Sequence, residues 1–272
     1  MSYLEYVRSF KLPHSWCPGC GIGTIMQAIV RAFDALGWKH EDIAFVTGIG
    51  CSGRMSTYIN ANTIHTTHGR PLAFATGIKL AKPDKHVVVV SGDGDALAIG
   101  GNHFIHAARR NIDIKLIIIN NSVYGMTGGQ VSPTTPQKFK TQTTPYGNIE
   151  PNFDVIKLAI GAGATFVARE SVTRPRNLEK LIEKSFHHKG FSVVEAISNC
   201  HINLGRRNKL KDQITMLRWI NDRIIPMNVA KKKSPEEIKD KIILGLFHED
   251  KERREYTELY EEEIINRARG KE

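Results

Sequence analysis

The sequence predicts an α/β protein with a doubly wound, mostly parallel sheet and a C-terminal helical extension. Apolar runs of strand length alternate with segments of helical periodicity along most of the chain. The runs at 87–90 and 115–119 are one helix length apart, as in a strand, crossover helix and parallel return strand. Polar or glycine-rich residues follow both runs, so ligand-binding groups are expected at one carboxyl edge of the sheet.

The predicted elements follow one another in regular order. Strands are placed where short apolar runs are rich in β-branched residues, and helices where apolar residues recur every three or four positions. In chain order they are helix 23–36, strand 44–49, helix 71–80, strand 87–90, helix 97–110, strand 115–119, helix 153–160, strand 165–168, helix 178–187 and strand 192–197. Residues 127–148 are rich in Thr, Pro, Gly and Gln and are expected to form a long functional loop over the site.

A change in composition divides the chain near residue 205. Residues 1–204 hold every predicted strand and are expected to form one domain. Nine Lys or Arg stand against two Asp between Arg206 and Lys233, and a mixed-charge, helix-like end follows from Pro235. We expect residues 205–272 to be a charged extension that contacts another subunit.

Length and charge bound the function. The 272 residues, 41% of them hydrophobic, suffice for one substantial core, and no apolar run is long enough to cross a bilayer. A cytoplasmic protein with no membrane partner is therefore expected, and reduced cysteines suit that compartment. The net charge of +10 is not accompanied by a recognition helix, zinc finger or aromatic platform, so nucleic-acid binding is not expected.

An acidic glycine turn marks the first candidate site. Gly92, Asp93 and Gly94 end one apolar run, and Asn120 and Asn121 end the next after a gap of 25 residues. Carboxylate and amide oxygens suit Mg²⁺, which usually takes its other ligands from phosphates and water. The glycines would admit a diphosphate close to the backbone at the start of the following helix.

The four cysteines form the second candidate site. Cys17 and Cys20 lie in a Cys-x-x-Cys motif, whereas Cys51 and Cys200 each follow a predicted strand at the edge that carries Asp93. An iron-sulfur cluster is favoured because all four thiols can converge there. A structural zinc, a redox dithiol or buried unliganded cysteines remain alternatives, and Cys200 is the best candidate for an unliganded one.

Six short segments together carry a family resemblance. They are 16–21 (Trp-Cys-Pro-Gly-Cys-Gly), 48–53 (Gly-Ile-Gly-Cys-Ser-Gly), 65–70 (His-Thr-Thr-His-Gly-Arg), 92–95 (Gly-Asp-Gly-Asp), 120–125 (Asn-Asn-Ser-Val-Tyr-Gly) and 126–130 (Met-Thr-Gly-Gly-Gln). The chain resembles the thiamine diphosphate-binding β subunits of 2-oxoacid:ferredoxin oxidoreductases over most of its first 205 residues. The loop at 124–136 looks most like that of the 2-oxoglutarate enzymes.

The resemblance implies an activity, cofactors and partners. It implies oxidative decarboxylation of a 2-oxoacid, with the acyl group passed to coenzyme A and electrons passed through a 4Fe-4S cluster to ferredoxin. It also implies that an α subunit supplies the glutamate which acts on the cofactor's pyrimidine, because no glutamate here lies in a recognisable pyrimidine-binding context. An αβ heterodimer that dimerises is expected, and the β chain alone should not turn over.

The resemblance also assigns residues. It implies that Cys17, Cys20, Cys51 and Cys200 hold the cluster, and that Asp93, Asn121 and the Val123 carbonyl bind Mg²⁺. Arg54 and His68 are candidate catalytic or substrate-binding residues. The remaining candidate cofactor-binding residues are Ser52, Gly92, Gly94, Asp95, Gly125, Met126 and Thr127.

Several functional alternatives stay open at this stage. The same chemistry on pyruvate or on branched-chain 2-oxoacids is one, since relatives of that kind have a similar loop. A non-redox thiamine lyase or decarboxylase would bind the cofactor without iron. A zinc-stabilised scaffold would bind neither.

Overall fold

The computed structural model describes residues 2–270, so the outer limits of the two predicted regions, residues 1 and 272, lie outside it. The strands are β1 (Ile43–Thr47), β2 (Asn62–His65), β3 (His86–Gly92), β4 (Ile114–Asn120), β5 (Phe166–Ser171), β6 (Ser192–Ile197), β7 (Ile224–Pro226) and β8 (Ile242–Glu249). The α-helices are α1 (Ile22–Ala35), α2 (Met55–Tyr58), α3 (Pro71–Ala81), α4 (Gly101–Arg110), α5 (Val155–Ala162), α6 (Pro175–His187), α7 (Gln213–Asn221), α8 (Met227–Ala230), α9 (Pro235–Ile238), α10 (Tyr256–Tyr260) and α11 (Asn266–Ala268).

All eight strands form one sheet in the order β2-β1-β3-β4-β6-β5-β8-β7. The six strands from β2 to β5 in that order are parallel, and β8 pairs with β5 in the antiparallel sense. The central strands are buried on both faces, which explains why they read as continuous apolar runs. The predicted doubly wound, mostly parallel sheet is therefore confirmed.

Two hydrophobic layers enclose the sheet. On one face α1 and α6 pack together, and Phe33 of α1 stacks on Phe186 of α6 with ring centroids 5.6 Å apart. On the other face α3, α4 and α5 cover the sheet, with Phe104 of α4 against Phe191 beside β6. Each fully buried side chain of this size contributes roughly 1.5–3 kcal/mol to folding. These layers hold the carboxyl ends of the central strands in fixed positions.

The C-terminal extension is only partly helical. The predicted helix-like end from Pro235 is wrong for 242–249, because these residues form β8 and β7 adds a parallel strand at its side. Charged residues on both sides made the apolar run that begins at Ile242 hard to recognise as a strand. This run pairs with the edge of β5, which would otherwise be open. Helices α7, α10 and α11 do lie in the extension.

Other differences concern strand and helix limits. The short strand β2 was not predicted, since its Asn, Thr and His residues are largely exposed and lack an apolar pattern. The predicted helix 97–110 begins earlier, as a π-helical turn at Asp95–Ile99 that leads into α4. No helix within residues 2–270 is long and apolar enough to span a membrane.

Candidate functional site

The site lies where the winding direction of the sheet reverses. The chain leaves β1 toward β2 on one side, whereas β3 and β4 lie on the other side of β1. Such a reversal leaves a crevice at the carboxyl ends of the strands, the usual place for a ligand in this fold class. The segments after β1, β3 and β4 are the ones that carry the sequence motifs.

A cavity of about 150 Å³ occupies this crevice. It brings together the predicted cofactor-binding residues with His68, and the segments after the three strands form most of its wall. Its lining comprises Ile49, Gly50, Cys51, Ser52, His68, Gly92, Asp93, Gly94, Asp95, Ile119, Asn121, Val123, Tyr124, Gly125, Met126 and Thr127. We call it the crevice cavity.

Asp93 is a buried carboxylate whose charge has no cationic partner in the described residues. It is 2% exposed, and its Oδ2 accepts hydrogen bonds from Ser132 (2.6 Å) and Thr134 (2.5 Å) of the long loop. Burial raises the pKa of Asp93 to about 6 against the opposing effect of these two donors. A divalent cation would offset the cost of burying this charge, and Asn121 faces the same cavity. The residues present therefore fit Mg²⁺.

Gly94 is required for space rather than for an unusual backbone conformation. Its dihedral angles are helical, with φ of −67°. A Cβ at this position would lie 2.3 Å from the ring of Tyr124, whose hydroxyl donates to the Gly94 carbonyl at 3.1 Å. The sequence predicts a close approach of a diphosphate to this backbone, and the group that lies close to Gly94 in the structure is the ring of Tyr124.

Asp95 orients His68. Its Oδ1 lies 2.5 Å from Nδ1 of His68 and 2.7 Å from the backbone nitrogen of Gly69, and its Oδ2 accepts from Ser91 at 2.5 Å. Gly48 gives it room, since a Cβ there would lie 1.7 Å from Oδ2. Because these groups occupy the carboxylate, Asp95 fixes the imidazole of His68 at the cavity wall.

A second cavity, of about 270 Å³, adjoins the first. All four cysteines line it, together with Trp16, Arg54, Asn199 and the segment His201, Ile202 and Asn203. No disulfide joins the cysteines. The expected convergence of residues 17, 20, 51 and 200 is present, and we call this space the cysteine cavity.

Side-chain hydrogen bonds hold the cysteine segments together. The indole nitrogen of Trp16 donates to the carbonyl of Cys51 at 2.7 Å. Asn199, fully buried, donates to the carbonyl of Gly19 at 3.0 Å and accepts from the backbone nitrogen of Gly21 at 2.9 Å. The Cys17–Cys20 loop is therefore tied to the end of β6, next to Cys200.

The four thiols are of the ligand type that a metal centre needs. Burial raises the pKa of Cys20 to about 12 and that of Cys51 to about 11, and the neighbouring cysteines add to both shifts. A metal centre would stabilise the thiolates against this cost.

The two cavities share a wall. Cys51, Asn121, Gly125 and Met126 line both of them. A Cβ on Gly125 would lie 3.4 Å from the sulfur of Cys200 and 3.7 Å from that of Cys51, and Asn203 donates to the Gly125 carbonyl at 2.6 Å. Groups bound in the two cavities would therefore be immediate neighbours.

Some site residues were not singled out from the sequence. Ser132 and Thr134 lie in the predicted functional loop, but Ser132 stands in no recognised motif and Thr134 is one of six Thr residues in that loop. Asn199 and Asn203 flank Cys200, which is the only signal that pointed to them. Arg54 lies at the cysteine cavity and not in the lining of the crevice cavity.

Comparison with known proteins places this site in a class. A protein-family profile described as "Thiamine pyrophosphate enzyme, C-terminal TPP binding domain" matches residues 48–196. That span runs from the glycine turn after β1 to the penultimate residue of β6, so it contains the crevice cavity. The chain thus shares the binding domain of thiamine pyrophosphate enzymes.

Individual relatives define the family more narrowly. The chain is 51% identical to 2-oxoglutarate synthase subunit KorB of Methanocaldococcus jannaschii over 94% of both chains. It is 35% identical to 2-oxoacid:ferredoxin oxidoreductase 2, subunit beta, of Aeropyrum pernix, over 96% of this chain and 87% of the other. A solved 2-oxoglutarate:ferredoxin oxidoreductase from Magnetococcus marinus with 2-oxoglutarate, coenzyme A and succinyl-CoA bound matches with a TM-score of 0.87 and 31% identity, over 100% of this chain and 92% of that one. The chain belongs to the β-subunit family of 2-oxoacid:ferredoxin oxidoreductases.

Proposed function

We propose that this chain is the thiamine diphosphate-binding β subunit of a 2-oxoglutarate:ferredoxin oxidoreductase. It would convert the 2-oxoacid and coenzyme A to the acyl-CoA and CO2 and pass the electrons to ferredoxin. The shared wall between the crevice and cysteine cavities carries this proposal, because a cofactor in the first would lie beside an electron acceptor in the second. Relatives named as 2-oxoglutarate enzymes support the choice of substrate.

Mg²⁺ would be held by Asp93, Asn121 and the backbone carbonyl of Val123, and would carry the diphosphate of the thiamine cofactor. Ser132 and Thr134 would keep the Asp93 carboxylate in place through their hydrogen bonds. Gly92, Gly94, Ser52 and the residues from Gly125 to Thr127 would surround the cofactor. When bound, thiamine diphosphate supplies the carbon nucleophile and electron sink for decarboxylation.

The 4Fe-4S cluster would be held by Cys17, Cys20, Cys51 and Cys200. Its chemistry is one-electron transfer, which a two-electron substrate oxidation needs twice. The chain's own contribution is to clamp the four cysteine segments beside the crevice cavity. A zinc scaffold does not explain the crevice cavity, and a non-redox lyase does not explain the cysteine cavity.

His68 and Arg54 are the residues we propose to bind the substrate. Asp95 fixes the ring of His68 so that its other nitrogen can serve a substrate oxygen in the crevice cavity. Arg54 is exposed beside Cys51, and its guanidinium can pair with a carboxylate that enters from the cysteine side. Asp95 is a positioning residue in this scheme.

An α subunit is the proposed partner. None of the described residues that line the crevice cavity is a glutamate, so the group that acts on the pyrimidine would come from another chain. Ile49 and Met126 line this cavity while being 37% and 45% exposed, as expected for residues that a partner covers. The strands and α-helices of the 205–272 extension would add further subunit contacts, in an αβ heterodimer that dimerises.

The test uses the chain purified together with its α subunit. We expect iron and acid-labile sulfide at four each per β chain, absorbance near 400 nm, and viologen reduction that depends on 2-oxoglutarate and coenzyme A. Cys51→Ser should lose iron and viologen reduction while it still binds thiamine diphosphate. Asp93→Asn should lose the cofactor while it retains iron.

The outcomes separate the alternatives. Stoichiometric zinc without iron would overturn the proposal in favour of a scaffold, and thiamine diphosphate without iron would favour a lyase. Equal rates on pyruvate and 2-oxoglutarate would remove the substrate assignment alone. Turnover by the β chain without its partner would refute the need for an α subunit.

A further inference from the structure

Five exposed cationic side chains lie in two segments that are hydrogen-bonded to each other, one of them directly after Cys200. They belong to the turn that follows Cys200 and to the adjoining part of the long loop. They are Lys140, Arg206, Arg207, Lys209 and Lys211, and we call them the basic rim. Within residues 2–270 none of them forms a salt bridge, although Arg207 donates a hydrogen bond to Gln142. Their charge is therefore available to a partner.

Backbone hydrogen bonds fix the basic rim to the segment of Cys200. The backbone nitrogen of Gly205 donates to the carbonyl of Cys200 at 3.0 Å, and that of Leu210 donates to the carbonyl of Gly205 at 2.9 Å. Lys209 adopts a left-handed conformation, with φ of +63°, that closes the turn. These two backbone hydrogen bonds connect the turn to Cys200, a proposed cluster ligand.

Two further contacts hold the rim against its surroundings. Asn208 exchanges hydrogen bonds with the backbone of Lys140, donating at 2.9 Å and accepting at 2.8 Å, and so joins the long loop to the turn. Gln213 packs on Gly19, between Cys17 and Cys20, since a Cβ on Gly19 would lie 2.2 Å from its Oε1. Gln213, two residues after Lys211, therefore brings the end of this segment against the Cys17–Cys20 loop.

One thiol of the cysteine cavity reaches the protein surface. Cys17 is exposed, whereas Cys20, Cys51 and Cys200 are only partly so. Electron transfer between proteins falls off steeply with distance, so an electron carrier must dock where a cluster comes nearest to the surface. A cationic surface beside that point favours an acidic carrier, because opposite charge increases the encounter rate.

We propose that the basic rim is the docking surface for an acidic, ferredoxin-type electron carrier. The inference rests on the proposed function, since it assumes a cluster in the cysteine cavity. Each docking event would move one electron from the reduced cluster of this chain to the oxidised centre of the carrier. Two events would complete the two-electron oxidation of one 2-oxoacid. No proton or acyl group crosses this surface.

Charge reversal in the holoenzyme tests the proposal. Lys209→Glu/Lys211→Glu should raise the KM for ferredoxin about tenfold at low ionic strength. The rate with a viologen dye should change by less than about twofold, because a small dye does not need a docking surface. The ferredoxin difference should nearly vanish at 1 M salt, where the screening length is about 3 Å.

A matched control carries the same charge change elsewhere. Lys231→Glu/Lys232→Glu reverses two exposed lysines outside the basic rim and should leave the KM for ferredoxin unchanged. The milder Lys209→Gln/Lys211→Gln should give a smaller increase of the same kind, with full iron content as its check on folding. Equal ferredoxin KM values for the rim and control variants would overturn the proposal.

Other results distinguish the remaining explanations. A raised KM for coenzyme A with an unchanged KM for ferredoxin would reject the proposal and assign the rim to the phosphates of coenzyme A. A wild-type holoenzyme that reduces no viologen with any 2-oxoacid would instead contradict the proposed function. The two failures are therefore separable.

Discussion

The two hydrogen bonds that Asn199 makes to Gly19 and Gly21, which we call the Asn199 clamp, allow a quantitative test of how the cysteine cavity is held together. Asn199→Ala would remove the hydrogen bonds to the Gly19 carbonyl and the Gly21 nitrogen. A net loss of about 1 kcal/mol for a typical hydrogen bond, with about 1–3 kcal/mol for a buried N–H left unpaired, gives a cost of roughly 2–4 kcal/mol. Each 1.4 kcal/mol is tenfold, so opening of the Cys17–Cys20 loop should become about 30- to 700-fold more frequent.

The assay is loss of the iron chromophore under a chelator. We expect Asn199→Ala to lose absorbance near 400 nm much faster than the wild type, since a ligand loop that opens more often exposes the cluster. Asn148→Ala is the control, because Asn148 is also buried and bonds the backbone at Thr135 and Glu150, but in the long loop. Iron loss from Asn199→Ala at the wild-type or Asn148→Ala rate would refute the clamp.

Two further predictions concern the crevice cavity and folding. Gly94→Ala should weaken thiamine diphosphate binding at least tenfold by calorimetry, because its Cβ displaces Tyr124, whereas Gly101→Ala, with open space around its Cβ, should bind normally; equal affinities would contradict this. Burial, and then the charge of Lys115, lower the pKa of His188 to about 4 from 6.5. The unfolded chain therefore binds the extra proton first, and the free energy of unfolding should fall between pH 6.5 and pH 4, by about 2 kcal/mol at pH 5. Urea titrations of His188→Gln should lack this component, and an unchanged pH dependence would exclude it.

Sequence patterns predicted the central fold because its forces are local and periodic. The strands near Val89 and Ile117 are buried on both faces, so their apolar runs are continuous and recognisable. Strand β8 was not predicted because it forms by pairing with β5, which is distant in sequence. Ala168 of β5 pairs with Leu246 of β8 next to a β-bulge, and no short-range signal in the charged C-terminal segment encodes that pairing. Tertiary pairing outweighed local composition there.

The candidate site divides in a similar way. Asp93 and the cysteines could be named from the sequence because the chemistry restricts which residue types can serve. The groups that hold them are interchangeable in type, as with the hydroxyl of Thr134 or the carboxamide of Asn199. Asp95 shows what the motif could not indicate. The sequence predicts that Asp95 binds the cofactor, and the structure shows that its carboxylate is hydrogen-bonded to His68, Gly69 and Ser91.

Burial ties the two cavities to the stability of the chain. The carboxylate of Asp93 and the thiols of Cys20 and Cys51 are held where their charged forms are disfavoured, as their raised pKa values show. Groups so placed lower stability in the protein alone, and the hydrophobic layers around the sheet offset this. Mg²⁺ with the cofactor, or a cluster, would bind only the folded arrangement and would therefore stabilise it. Since Cys51 and Gly125 border both cavities, filling one of them should also pre-order the wall of the other.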